Sequence, residues 1–214
     1  NKIMKVKKQN SLINNLDYSR PNDQKNALDE INKDLSSSNK MFRLLQGDVG
    51  SGKTIVSLLA ALNTIKSGFQ VAIMAPTEIL ARQHFNLAKK IFPKNINIEL
   101  ISGKSEYRIK KEILKNLEIG KIDIIFGTHA IFQKKVIFRK LGLIIIDEQH
   151  KFGVNQRKRL SDKGGVDCDV LLMTATPIPR TLTMTIYGDM DISILRETPK
   201  NRKPIKSESQ GVDN

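Results

Sequence analysis

At 214 residues, with 39% apolar and 27% charged content, the chain is long enough to bury one full core and too short for two domains of ordinary size. A single cysteine, Cys168, excludes a disulfide framework and fits a reducing compartment such as the cytosol, and no apolar run approaches the roughly 18 residues of a membrane-crossing helix. The net charge of +14, from 36 basic and 22 acidic side chains, points to a polyanionic partner, with nucleic acid ahead of a membrane and a solvated basic surface as the competing reading.

Residues 1–17 are basic and Asn-rich, with weak periodicity, and read as a linker or the remnant of an upstream domain. From Asp23, "DQKNALDEINKDL" sets Ala27, Leu28, Ile31 and Leu35 on one helical face, and "SSSNK" ends that helix. "MFRLLQ" predicts a short strand, followed by a Gly-rich turn and the helix "KTIVSLLAALNTIKSG". "FQVAIMAP" predicts a buried strand closed by Pro76, and "TEILARQHFNLAKKIF" a helix with Thr77 as N-cap. "INIELIS", "KIDIIFG", "LGLIIID" and "VDCDVLLMT" are further strands, with helices over "EYRIKKEILKNLEIG" and "VNQRKRLSDKG". Cys168 sits in the last of these strands as a small buried apolar residue. Continuously apolar strands alternating with helices predict an α/β fold, a mostly parallel sheet with helices on both faces. After Leu195 the text turns polar and Pro-punctuated, so the domain is expected to span 18–198, with 199–214 as a tail.

The Gly-rich turn carries the strongest chemistry. "GDVGSGKT" fits GxxxxGK[ST], directly after a strand and opening a helix. Backbone N–H groups of Gly47, Asp48, Val49, Gly50, Ser51 and Gly52 would form a concavity for phosphate oxygens, reinforced by the positive end of the helix. Lys53 would reach the β and γ phosphates, and Thr54 would ligate Mg²⁺. The stretch "LGLIIIDEQHKFG" then acquires a role, because a buried strand ending in two acids suits the second half of such a site. Asp147 would hold the metal and Glu148 would orient or deprotonate the attacking water. Adjacent carboxylates repel, and a divalent cation removes that cost. Together the two motifs predict a Mg²⁺-bound nucleotide and a hydrolytic reaction.

"DEQH" after one strand, with "TAT" (Thr174, Ala175, Thr176) after another, resembles motifs II and III of superfamily 2 helicases. "RLLQGDVGSGKT", "MAPTEILARQHF", "GTHAIFQ", "LIIIDEQHKFGVNQR" and "MTATPIPRTLTMTIYGDMDIS", in that order, resemble the first motor domain of the RecG family of bacterial DNA helicases, over about Tyr18 to Pro204. Transcription-repair coupling factors are similar around the Gly-rich loop but usually read DEEH, so Gln149 favours the RecG family.

The resemblance implies a RecA-like P-loop NTPase domain that works on branched, forked or single-stranded DNA without sequence preference, probing no membrane and acting as a monomer. It implies that Gln24 reads adenine, with Tyr18 stacked on the base, although Pro21 stands where the family pattern has Thr. Gln149 and His150 would couple the nucleotide to Thr174 and Thr176. Pro76, Thr77 and Glu78, then Ser102, Gly103 and Lys104, then Gly127, Thr128 and His129, would face the DNA backbone, as would Arg180. A second RecA-like lobe would supply arginine fingers, so the chain is expected to be one motor lobe with little turnover alone. A nucleic-acid-binding module that does not hydrolyse ATP is the rival reading.

Overall fold

A computed structural model of the chain describes residues 22–103, 106–147, 168–176 and 190–196. In chain order the elements are α1 (Asn22–Leu35), β1 (Phe42–Gly47), α2 (Lys53–Lys66), β2 (Gln70–Met74), α3 (Glu78–Ile91), β3 (Ile98–Ile101), α4 (Tyr107–Glu118), β4 (Ile124–Gly127), a 3-10 turn (His129–Phe132), β5 (Leu141–Asp147), β6 (Asp169–Thr174) and β7 (Asp191–Leu195). The strands form one sheet in the order β3-β4-β2-β5-β6-β1-β7. Every pairing among them is parallel.

Strand order explains where the helices lie. From β1 through β2 to β3 the chain steps toward one edge of the sheet, and from β3 onward it steps back. Right-handed crossovers taken in opposite directions put their helices on opposite faces. Accordingly α1, α2 and α3 share one apolar cluster with Leu45, Val71, Ile73, Leu143, Ile145 and Leu171. Ile113 and Leu117 of α4, with Ile131 of the 3-10 turn, share the other with Leu44, Ala72, Met74, Ile144, Ile146 and Leu172. Successive residues of β5 therefore alternate between two cores, which is why its sequence is apolar without alternation. Cys168 is buried in the second core, as the sequence predicts.

The expected elements form, with ends trimmed by up to three residues. The predicted helix over 154–164 lies outside the described residues. Two elements went unpredicted, the 3-10 turn and β7. Among the described residues the latter lies at the sheet edge, paired on one side only, with alternating burial in place of a continuous apolar run. Arg43 holds this edge together. Its side chain is 9% exposed and bridges Asp34 at 2.7 Å and Glu30 at 3.1 Å on α1, and it donates to Ser193 Oγ of β7 at 2.8 Å. No described helix is long and apolar enough to cross a membrane.

Candidate nucleotide site

The Gly-rich loop leaves β1 at Gly47 and enters α2 at Lys53. Gly50 and Gly52 adopt φ of 85° and 94°, left-handed conformations that non-glycine residues enter only with strain. The loop is also packed too tightly for side chains. A Cβ on Gly47 would lie 2.6 Å from Ser51 Oγ and 2.9 Å from Leu195, and one on Gly52 would lie 2.2 Å from Gln24 Nε2. Gln24, buried on α1, donates from Nε2 to the Ser51 carbonyl at 2.7 Å. The residue expected to read adenine is thus part of the wall of the loop.

Helix α2 starts differently from α3. Thr77 caps α3 by accepting from the Leu80 N–H, and Glu78 adds an acid to its first turn. The N-cap of α2 is Gly52, with no side-chain cap and no acid in the first turn. Its first N–H groups and the positive end of its dipole are left to an anion. Ser51 Oγ is buried with no hydrogen-bond partner among the described residues, so a further polar acceptor or donor fits here. The Lys53 ammonium folds back on the loop, donating to the carbonyls of Gly47 at 2.5 Å and Asp48 at 2.9 Å. Asp48, Val49 and Gly50 are exposed at the loop crest, and Thr54 is half-buried at the helix start. These features fit a phosphate chain.

The register brings the acid into this site. Asp147 pairs with Met173 of β6, and Met173 pairs with Leu45 of β1. Asp147 is therefore level with Leu45, two residues before the end of β1, at two inter-strand steps or about 10 Å. Between them Thr174, fully buried, ends β6, and its Oγ1 lies 2.9 Å from Thr176 Oγ1 and accepts from the Thr176 N–H at 3.2 Å. Ala175 is half-buried in the same turn. The expected nucleotide and coupling residues that are described thus line one end of the β5-β6-β1 half of the sheet.

The expected nucleic-acid residues that are described occupy the other half. Ile101, Gly127 and Met74 are level across β3, β4 and β2, so the loops that follow them stand side by side. Pro76 and Thr77 are exposed, and Glu78 accepts a short hydrogen bond from the Ser102 hydroxyl, tying the first loop to the second. Gly103 and His129 are exposed and Thr128 half-buried. Gly127 has a packing reason to be glycine, since a Cβ there would lie 2.7 Å from Ile131 and 3.0 Å from the Ile101 carbonyl. Tyr18, Lys104, Glu148, Gln149, His150 and Arg180 lie outside the described residues.

One participant escaped the sequence reading. His84 of α3 points its Nε2 at Asp147 Oδ2, 2.6 Å away, with the two side chains 10% and 14% exposed. The signal was present in the spacing Ala81, His84, Ala88, a polar ring on the stripe that faces the sheet.

The sequence pattern of DEAD/DEAH box helicases matches residues 21–185. The chain belongs to the DEAD/DEAH box helicase family. This helicase-family chain is 52% identical to the ATP-dependent DNA helicase RecG of Streptococcus pneumoniae over 182 residues, 85% of its own length and 27% of that protein's. It is 50% identical to RecG of Borreliella burgdorferi over 91% of its length and 28% of the relative's. Among solved structures, RecG bound to a three-way DNA junction superposes with a TM-score of 0.78 at 44% identity, covering 90% of this chain and 26% of that one. The family's RecA-like fold is therefore present, and the chain spans about a quarter of the length of these RecG relatives.

Proposed function

We propose that the chain is the first motor lobe of an ATP-dependent DNA helicase or translocase acting on branched DNA in recombination and repair. The observation that carries this reading is the shared register of β1, β6 and β5, which sets Gly47–Thr54 and Asp147 at one end of the sheet with Thr174 between them. In this reading the loop N–H groups and Lys53 hold the phosphates, while Thr54 and Asp147 supply the one or two protein ligands that Mg²⁺ takes in nucleotide sites. When bound, Mg²⁺ would withdraw charge from the phosphate oxygens and ease attack at the terminal phosphorus. Glu148 orients the attacking water, Gln149 and His150 report to Thr174 and Thr176, and Gln24 and Tyr18 receive the adenine.

DNA lies across the β3-β4-β2 half, on Pro76, Thr77, Glu78, Ser102, Gly103, Gly127, Thr128 and His129, with Lys104 and Arg180 as further proposed contacts, through its backbone and without sequence readout. The 50–52% identity to RecG proteins and the junction-bound RecG structure support this choice of substrate. Residues 18–198 form the motor domain, 1–17 join it to a preceding segment, and 199–214 lead toward a second RecA-like lobe that supplies arginine to the γ phosphate. A bacterial cytoplasm is the setting that follows.

The test is titration of the chain with a fluorescent ATP analogue, with and without Mg²⁺, beside Lys53→Ala. Loss of a charged hydrogen-bond donor to phosphate is expected to weaken Mg-nucleotide binding by roughly tenfold to a hundredfold. Equal affinity in both proteins overturns the phosphate role of Lys53. Oligonucleotide binding that ignores Mg-ATP favours a passive docking module instead.

A further inference from the structure

His84 makes a contact that the reading above does not use. Its Nε2 lies 2.6 Å from Asp147 Oδ2, on the carboxylate assigned to Mg²⁺. An ionised carboxylate only accepts hydrogen bonds, so Nε2 carries the proton and donates. Among the described residues no other side-chain hydrogen bond to the Asp147 carboxylate exists, and Oδ1 is the oxygen that the imidazole does not engage. The imidazole comes from α3 on one face of the sheet and reaches the final residue of β5, 63 positions later in the chain.

Packing alone gives no reason for an imidazole here. Ala81, His84 and Ala88 are the buried positions of α3, and the two alanines bring the helix close to the strands. A polar ring on that stripe loses hydration, and the loss is offset only by a partner. Its partner is the one carboxylate that the site needs in a defined rotamer. Groups that hold a metal-ligating side chain by hydrogen bond set its orientation, and their removal typically weakens metal binding by roughly 10–100-fold.

We propose that His84 is a positioning residue that fixes the Asp147 carboxylate for Mg²⁺, donating to Oδ2 so that Oδ1 faces the nucleotide side. The proposal rests on the assignment of Asp147 as a metal ligand. The same helix begins at Thr77 and Glu78, so the anchor of the metal carboxylate and a candidate nucleic-acid loop belong to one rigid element.

The experiment measures the Mg²⁺ concentration at half-saturation for binding of a fluorescent ATP analogue to the full 214-residue chain. His84→Leu keeps bulk and removes the donor, and His84→Gln keeps an N–H donor of similar reach. The leucine variant is expected to need roughly tenfold more Mg²⁺, with nucleotide binding in EDTA unchanged, and the glutamine variant to recover most of that loss. A leucine variant with the parent's Mg²⁺ requirement overturns the proposal. If that variant does not fold, His84→Asn, whose amide falls short of Asp147, replaces it, and equal Mg²⁺ requirements for the Asn and Gln variants overturn the proposal. Asp147→Asn separates the two layers of the argument. If it raises the Mg²⁺ requirement while His84→Leu does not, only the positioning role fails; if it changes nothing, the metal assignment fails and the positioning role with it.

Discussion

Gly52 answers to two constraints at once, a φ of 94° and a neighbour, Gln24 Nε2, 2.2 Å from where a Cβ would stand. Gly50 also adopts a positive φ, 85°. Gly52→Ala is therefore expected to destabilise the chain by about 1–3 kcal/mol in urea unfolding followed by circular dichroism. Adding Gln24→Ala removes the clash but not the backbone strain, so the double variant should lose less than the two single losses summed. Additive losses would show that Gln24 does not confine the loop. "GDVGSGKT" was legible as a tight turn from strand into helix because its glycines answer to the local backbone. The bonds Gln24–Ser51 and His84–Asp147 were not, because they join residues 27 and 63 positions apart whose meeting is decided by the packing of helices on the sheet.

Strand β2 is anchored at its start by one side chain. Gln70, buried, donates to the carbonyls of Leu117 at 2.9 Å and Ile122 at 2.8 Å and accepts from the Lys140 N–H at 2.9 Å, so it joins the end of α4 to the entrance of β5. Gln70→Leu fills the space but strands three backbone groups, and a loss of about 2–4 kcal/mol is expected in urea unfolding, with no change in nucleotide affinity because the site lies at the opposite end of the strands. Arg43→Met tests the sheet edge in the same assay. Its partners Glu30 and Asp34 keep 51% and 22% exposure, so water takes over part of their solvation and a loss of about 1–3 kcal/mol is expected. Interior strands such as β5 and β6 announced themselves because burial on both faces demands unbroken aliphatic text. Edge strand β7 did not, since "DISIL" has only its alternate positions to bury and is short enough to pass for a loop.

Among the described residues, those expected to bind nucleotide gather on the β5-β6-β1 half of the sheet and those expected to meet DNA on the β3-β4-β2 half. Lys53→Ala should consequently leave the affinity for a single-stranded oligonucleotide unchanged when no nucleotide is added, as measured by fluorescence anisotropy. That affinity should fall linearly in log–log coordinates as salt rises, by about 0.7 per phosphate contacted on a single strand, since the binding depends on displaced counterions. A weak salt dependence would mean that the +14 charge is only a solvated surface. The alternation of strand and helix, read without any contact information, was enough to foresee the parallel sheet. The strand order, on which this division of labour depends, was not readable, because every interior strand carries the same aliphatic signature.

That order also dictates when the chain can become competent. β1 has β6 and β7 as its only neighbours, so Phe42 waits for Val170, and Gly47 waits for Leu195. A ribosome making this polypeptide must therefore read on from Gly47 as far as Asp169 before the strand beneath the glycine loop finds either flank, and such distant closures are slow. Until then the aliphatic β1 and α2 are exposed to chaperones and to one another. The earliest of the two motifs to emerge is among the last to gain its footing.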